Sequence, residues 1–220
     1  MGRLLADLLY PRKCVFCGKL LENQELDLCE DCNSKLPVFT GSKIKLSFLA
    51  QWSGLWYYKD TVRESVLRFK FRRCRGYART YGVLLARKLR QPEYSDWDIL
   101  GWIPISGIRK WFRGYDQTEL IGQAVSQELG IPLVPVLRKI RHTKPQSGMG
   151  NVAHRRANIL GAYAVTDPAL IKGQRILLLD DIITTGATIS ECARMLTMAG
   201  ATQVTCAALA AAPHDRKNSK

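Results

Sequence analysis

The stretch RILLLDDIITTGATI, Arg175 to Ile189, decides the fold. Ile176 to Leu179 is continuously apolar, as a strand buried on both faces requires. The strand is expected over Arg175 to Asp180 and ends in two adjacent carboxylates, Asp180 and Asp181. A loop over 182–187 then leads into a helix expected from about Thr188 to Ala199, stopped by Gly200. In sheets flanked by helices, ligands bind outside the carboxyl ends of the strands. A helix N-terminus offers free N–H groups and the positive end of its dipole to a phosphate. Gly186 lets the backbone approach closely, and Thr184, Thr185 and Thr188 add hydroxyl donors around Ala187. The loop Thr184 to Thr188 therefore suits a phosphate monoester, and the two acids beside it suit sugar hydroxyls. Together they describe a ribose 5-phosphate site. Asp180 and Asp181 as plain turn formers, with Thr188 as a helix cap, would leave the combination unexplained.

Outward from this stretch, strand and helix patterns alternate. WSGLWYY, DILGWIPI, LVPVL, ILGAYAV and QVTCAALA read as strands. Thr61 and Glu64 have capping-box spacing at the head of a basic helix. Gln117 to Leu129 has helical spacing, with Leu120, Ile121, Ala124 and Val125 inward and Gly130 as the stop. This order predicts an α/β fold with a mostly parallel sheet flanked by helices. The expected division is a zinc-binding module and linker over 1–45, the α/β domain over 46–212 and a tail over 213–220.

Four of the seven cysteines fall in CVFCGKLLENQELDLCEDC, as two C-x-x-C pairs, Cys14 with Cys17 and Cys29 with Cys32. Four thiolates from two tight turns suit tetrahedral Zn²⁺ in a closed, structural shell. Two disulfides or a redox C-x-x-C are the alternatives. The first fits poorly with the cytoplasmic setting expected here, and the second needs no repeated pair. Cys74, Cys192 and Cys206 are expected as reduced thiols.

The 220 residues carry 33 Lys plus Arg against 19 Asp plus Glu, a net charge of +14. Such a chain favours polyanions: phosphorylated ligands, nucleic acid or an anionic membrane surface. No apolar run reaches the roughly 18 residues of a membrane span, and the N-terminal apolar stretch, broken by Asp7, is too short for a signal peptide. Arg68, Lys70, Arg72, Arg73, Arg75 and Arg79 form the densest basic run. It is either a solvated helix face or a patch for single-stranded DNA. Trp52, Trp56, Tyr57 and Tyr58 could stack on bases, but core packing is the more common use of such a run.

ILLLDDIITTGAT closely resembles the phosphoribosyl-pyrophosphate (PRPP) signature of type I phosphoribosyltransferases. In that family the acids bind the ribose hydroxyls and the following loop cups the 5-phosphate. Upstream, WIPISGIRKWFRGYDQTELIGQAVSQELGIP and RHTKPQSGMGNVAHRRANILGAY are similar to the ComF family of competence-associated proteins, ComFC type, where a four-cysteine zinc module precedes such a domain. With that module, the resemblance covers nearly the whole chain. One departure is Tyr115-Asp116-Gln117, where an aromatic followed by Asn-Gln is more usual in the family.

The resemblance implies Mg²⁺ with the PRPP and a pyrophosphate loop over Ile105, Ser106, Arg109, Lys110 and Arg113. It also implies a lid between Arg141 and Asn158, with Gln146, Arg155 and Arg156 facing the ligand; His142 and His154 lie in it. A ComF protein is expected to support uptake of single-stranded transforming DNA beside a helicase, with a working or vestigial PRPP site. An active transferase in nucleotide salvage or modification, or a PRPP sensor without turnover, are the other readings. The segment order also resembles the transferase domain of amidophosphoribosyltransferases. However, residue 2 is glycine and the region is a metal module, so a glutaminase nucleophile is not expected.

Overall fold

The computed structural model describes residues 12–21, 26–41, 45–94, 96–141 and 157–213. Four parallel strands form the main sheet: β1 (Gln51–Tyr57), β2 (Ile99–Trp102), β5 (Arg175–Ile183) and β6 (Gln203–Ala211), in the order β1-β6-β5-β2. Leu133 bridges Leu100 in parallel and extends the β2 edge. The helices of this domain include α2 (Asp60–Phe71), α3 (Tyr77–Leu89), α4 (Gly107–Arg113), α5 (Gln117–Leu129) and α6 (Ala187–Met198).

Alternating side chains give β5 and β6 two buried faces. Leu177, Leu179 and Leu209 join α2, α3 and α5 in one core, while Ile176, Leu178, Cys206 and Ala208 join α6 in the other. Trp56 is buried, and Trp52, Tyr57 and Tyr58 pack against these cores, so the aromatic run of β1 is core.

Three expectations change. LVPVL meets the main sheet only through the Leu133 bridge, and ILGAYAV does not pair with it. Their ends form an antiparallel ribbon, β3 (Leu137–Lys139) with β4 (Tyr163–Val165). Pro135 lacks the N–H needed to continue pairing, so the chain leaves the sheet edge after Leu133 and turns into the ribbon. Thr61 and Glu64 form no capping box, because α2 begins two residues earlier than that spacing requires, behind Lys59, with no side-chain cap. Finally, β5 runs through Ile183, so only 184–186 separate it from α6.

The cysteine module, with its short helix α1 (Glu30–Lys35), is built into the first core. Val15 and Phe16, inside the first C-x-x-C, are fully buried. The Phe16 ring meets Trp56 edge-on at 5.2 Å and lies 6.0 Å from Tyr81. From α2, the Ser65 hydroxyl and the Arg68 guanidinium both donate to the Val15 carbonyl, and Arg68 also donates to that of Phe16.

Candidate ligand site and zinc module

The acid pair lies where the sheet opens. On the β2 side, pairing with β5 stops at Leu179, which accepts from the Ile103 N–H at 2.9 Å. On the other side β5 stays paired with β6 through Ile183. Beyond Leu179 one edge of β5 therefore faces a cavity, lined by Lys70, Arg109, Arg113, Lys139, Asp180 and Asp181 among others. Successive strand residues point to opposite faces, and the two acids meet different cations. Asp181 pairs with Lys70 Nζ of α2 at 2.8 Å. Asp180 acts electrostatically on Lys139 of the ribbon. Burial and then the Asp181 charge push the Asp180 carboxyl up to about 8.

Lys139 was not anticipated. Its ammonium donates to Tyr163 Oη at 3.1 Å and lies 4.9 Å from that ring's centroid. Burial, followed by repulsion from Arg109, lowers it to about 8.

The turn Thr184 to Gly186 feeds α6, with Gly186 left-handed at φ 72° as its N-cap. That backbone favours glycine, and a Cβ there would also lie 2.3 Å from a Leu46 methyl, which would have to shift. The Thr185 hydroxyl is buried without a hydrogen-bond partner among the described residues, and Thr185 and Ala187 line a separate cavity beside Leu46, Glu191 and Arg194. Thr188 lines the same cavity as the acids.

Residues 103–106 peel away from β2 toward α4 and are tied down by Asp116. This buried carboxylate caps α5 through the Thr118 and Glu119 N–H groups and accepts from the Ile105 N–H at 2.9 Å. The departure from the Asn-Gln pattern thus has a structural role: an amide could cap α5, but its NH₂ could not accept the Ile105 bond. Arg109 and Arg113 line the cavity together with Ile105. Arg113 donates to Gln117 Oε1 at 2.8 Å, and its charge is disfavoured by burial. Lys110 instead pairs with Glu119 at 2.8 Å. Ser106 is buried. Arg141 donates to the Asn158 and Leu160 carbonyls, closing the base of the ribbon, while Gln146, Arg155, Arg156, His142 and His154 lie outside the described residues.

The basic run divides. Arg68 faces the cysteine module and Lys70 enters the cavity. Arg72, Arg73, Arg75 and Arg79 are exposed, with Arg75 lying 5.4 Å from the Tyr115 ring centroid.

The sulfurs of Cys14, Cys17, Cys29 and Cys32 all lie within 4.8 Å of one another, and those of Cys17 and Cys29 are 3.6 Å apart. Four sulfurs at about 2.3 Å from a tetrahedral Zn²⁺ would be about 3.8 Å apart, so the cluster fits that ion. Burial raises the Cys14 thiol, but the backbone N–H groups of Cys17, Cys29 and Phe16 outweigh it and bring the group to about 7, whereas burial pushes the Cys17 and Cys32 thiols up. The Cys29 N–H donates to Cys14 Sγ and the Cys32 N–H to Cys29 Sγ, both at 3.5 Å.

Comparison with known proteins matches both parts. A double zinc ribbon domain matches residues 5–43, and a phosphoribosyl transferase domain matches residues 119–220. The chain is a phosphoribosyltransferase-fold protein behind a four-cysteine zinc ribbon. More narrowly, it is a ComF-like protein. Competence protein F of Haemophilus influenzae is 27% identical over 220 residues, covering 87% of this chain and 93% of that protein. Competence protein ComFC of Streptococcus pneumoniae is 26% identical over 223 residues, covering 87% and 96%. Among solved structures, the B. subtilis glutamine PRPP amidotransferase aligns with 60% of this chain at 23% identity and a TM-score of 0.41. This chain spans 26% of that one. Among the described residues, no helix is long and apolar enough to cross a membrane.

Proposed function

We propose that this ComF-like protein binds PRPP or ribose 5-phosphate with Mg²⁺ and handles single-stranded DNA in competence. The carrying observation is the placement of Asp180 and Asp181 at the open edge of β5, beside the turn into α6 and among four cations of the cavity. In this reading the carboxylates accept from the ribose hydroxyls. The N–H groups and hydroxyls of 184–188 hold the 5-phosphate. Lys70, Arg109, Arg113 and Lys139 face the pyrophosphate. Two carboxylates are also fitting oxygen donors for Mg²⁺, which when bound would neutralise pyrophosphate charge. The DNA role is supported by the net charge of +14 and by likeness to proteins named for competence. A helicase partner and a cytoplasmic setting belong to the same proposal.

Calorimetry with PRPP and Mg²⁺ tests the site. Asp180→Asn with Asp181→Asn should weaken binding by roughly tenfold or more, because each charged hydrogen bond removed is worth about 1.5–3 kcal/mol. Equal affinity in the double variant would refute the assignment. A second reading, turnover of PRPP, is favoured by Asp180 and Lys139. Both are shifted to about 8, where each can exchange a proton near neutral pH. Pyrophosphate release in the presence of candidate acceptors separates turnover from binding.

A further inference from the structure

Large aromatic rings are exposed on α4 and at the end of α2, next in sequence to the cavity residues Arg113 and Lys70. On α4, Trp111 is 77% exposed and Phe112 is 68% exposed, and their rings meet at 4.9 Å. Phe71, the last residue of α2, is 65% exposed and lies 4.9 Å below the Arg113 guanidinium. That stacking joins the end of α4 to the end of α2. Arg72 and Arg73 follow Phe71 directly and are exposed, as is Arg75. Large exposed rings are costly on a monomer surface unless something covers them.

We infer that the surface formed by Phe71, Trp111 and Phe112 with Arg72, Arg73 and Arg75 is a single-stranded nucleic-acid platform: unpaired bases stack on the rings and phosphates meet the arginines. The inference rests on the proposed DNA role and gives it a location. Two features select this occupant. Exposed rings with guanidinium groups at hand, as Phe71 has Arg113 stacked on it, match a polyanion whose bases are unpaired and can offer a π-face. Duplex DNA hides those faces. The seven residues of α4 are also short for an amphipathic helix lying in a membrane interface. The platform adjoins the phosphosugar cavity through Arg113, which reaches both.

The test is fluorescence anisotropy of a labelled oligodeoxythymidylate over a salt series. It compares the natural chain, Trp111→Ala with Phe112→Ala, and Arg72→Glu with Arg73→Glu. All four side chains are exposed and outside the cavity, so PRPP calorimetry serves as a folding control. Removing the two rings should weaken oligothymidylate binding at least about tenfold, since each base–ring stack contributes substantially. It should leave the salt slope unchanged, because stacking releases no counterions. The arginine reversal should flatten the slope by about 0.7 for each phosphate that the reversed side chains no longer neutralise. If the natural chain binds DNA and the ring variant binds equally well, the platform is refuted while the DNA role stands. No binding by the natural chain at low salt ends both. Self-association, or adsorption to anionic vesicles, that the ring substitutions abolish without changing DNA affinity also overturns the proposal, in favour of a second copy or a lipid surface.

Discussion

Lys70 Nζ sits 2.8 Å from an Asp181 carboxylate oxygen, with 15% and 14% of the two side chains exposed. Three consecutive residues of α2 thus reach three parts of the protein. Arg68 holds the zinc-ribbon carbonyls, the Phe69 carbonyl accepts from the Tyr115 hydroxyl, and Lys70 balances one acid of the proposed ribose site. This pair is too shielded to be a surface ion pair worth almost nothing, yet the cavity keeps it from full burial. Lys70→Met should therefore cost about 1–3 kcal/mol, between the values of exposed and fully buried pairs, because the Asp181 carboxylate loses its partner. Adding Asp181→Asn should recover most of the loss. Urea melts of the four proteins in this cycle measure the coupling, and strictly additive effects would mean that the pair contributes nothing.

Binding of PRPP should peak near pH 8. The Asp180 carboxyl is raised to about 8 by burial and by Asp181, so its accepting, charged form accumulates only as pH rises through that value. Lys139 is lowered to about 8 by burial and by Arg109, so its charge is lost as pH rises further. Affinity should climb on the first account and fall on the second. Asp180→Asn should remove the rising limb and Lys139→Met the falling one. The phosphates of PRPP titrate alike in all three experiments, so differences between the curves belong to the protein. Calorimetry from pH 6 to 10 showing three parallel curves would rule out both groups.

What the sequence revealed follows from how local each signal is. The β5–α6–β6 unit was legible because four apolar residues run unbroken into the acids. Helix α5 was legible to its ends because Gly130 takes a left-handed conformation there, at φ 70°. The cysteine cluster was legible from repeated spacing alone. Lys139 was hidden among the cations of LRKIR, since its burial depends on a ribbon closed by residues far along the chain. Lys70 looked like its surface neighbours. Yet Val62, Val66 and Phe69 mark the buried stripe of α2, and a residue beside Phe69 and four beyond Val66 borders that stripe. The strand was expected to end at Asp180, so the placing of Asp180 and Asp181 on opposite faces came only with a β5 that runs through Ile183.

Gly82 should not tolerate alanine, although alanine is the better helix former by about 1 kcal/mol. On α3, a Cβ at Gly82 would lie 2.4 Å from the Ala124 Cβ and 3.1 Å from the Ile121 carbonyl oxygen, both on α5. Neither atom belongs to a flexible side chain, so the helices must move apart. Overpacking of this kind costs about 1–3 kcal/mol, which exceeds the propensity gain. Denaturation of Gly82→Ala should show a net loss, and a stabilised variant would mean that the two helices separate freely.

Zinc should hold the whole protein together as well as its ribbon. The ion fits four sulfurs, while Val15 and Phe16 between the first two sulfurs are plugged against Trp56 and Tyr81 in the main core. Metal analysis should find one Zn²⁺ per chain, and Ser in place of Cys14, Cys17, Cys29 and Cys32 should abolish it. Chelation should lower the melting temperature of the α/β domain, because losing the ion frees the turn that carries Phe16. Phe16→Ala tests the packing without touching a ligand. Truncating a buried Phe costs about 3–5 kcal/mol, and here that loss should appear in the single unfolding transition of the domain. If the ribbon were an independent appendage, Phe16→Ala and chelation would each leave the main transition where it was. Two transitions, with only the smaller one responding, would establish that arrangement and remove the link through Arg68 between the zinc ribbon and the ligand site.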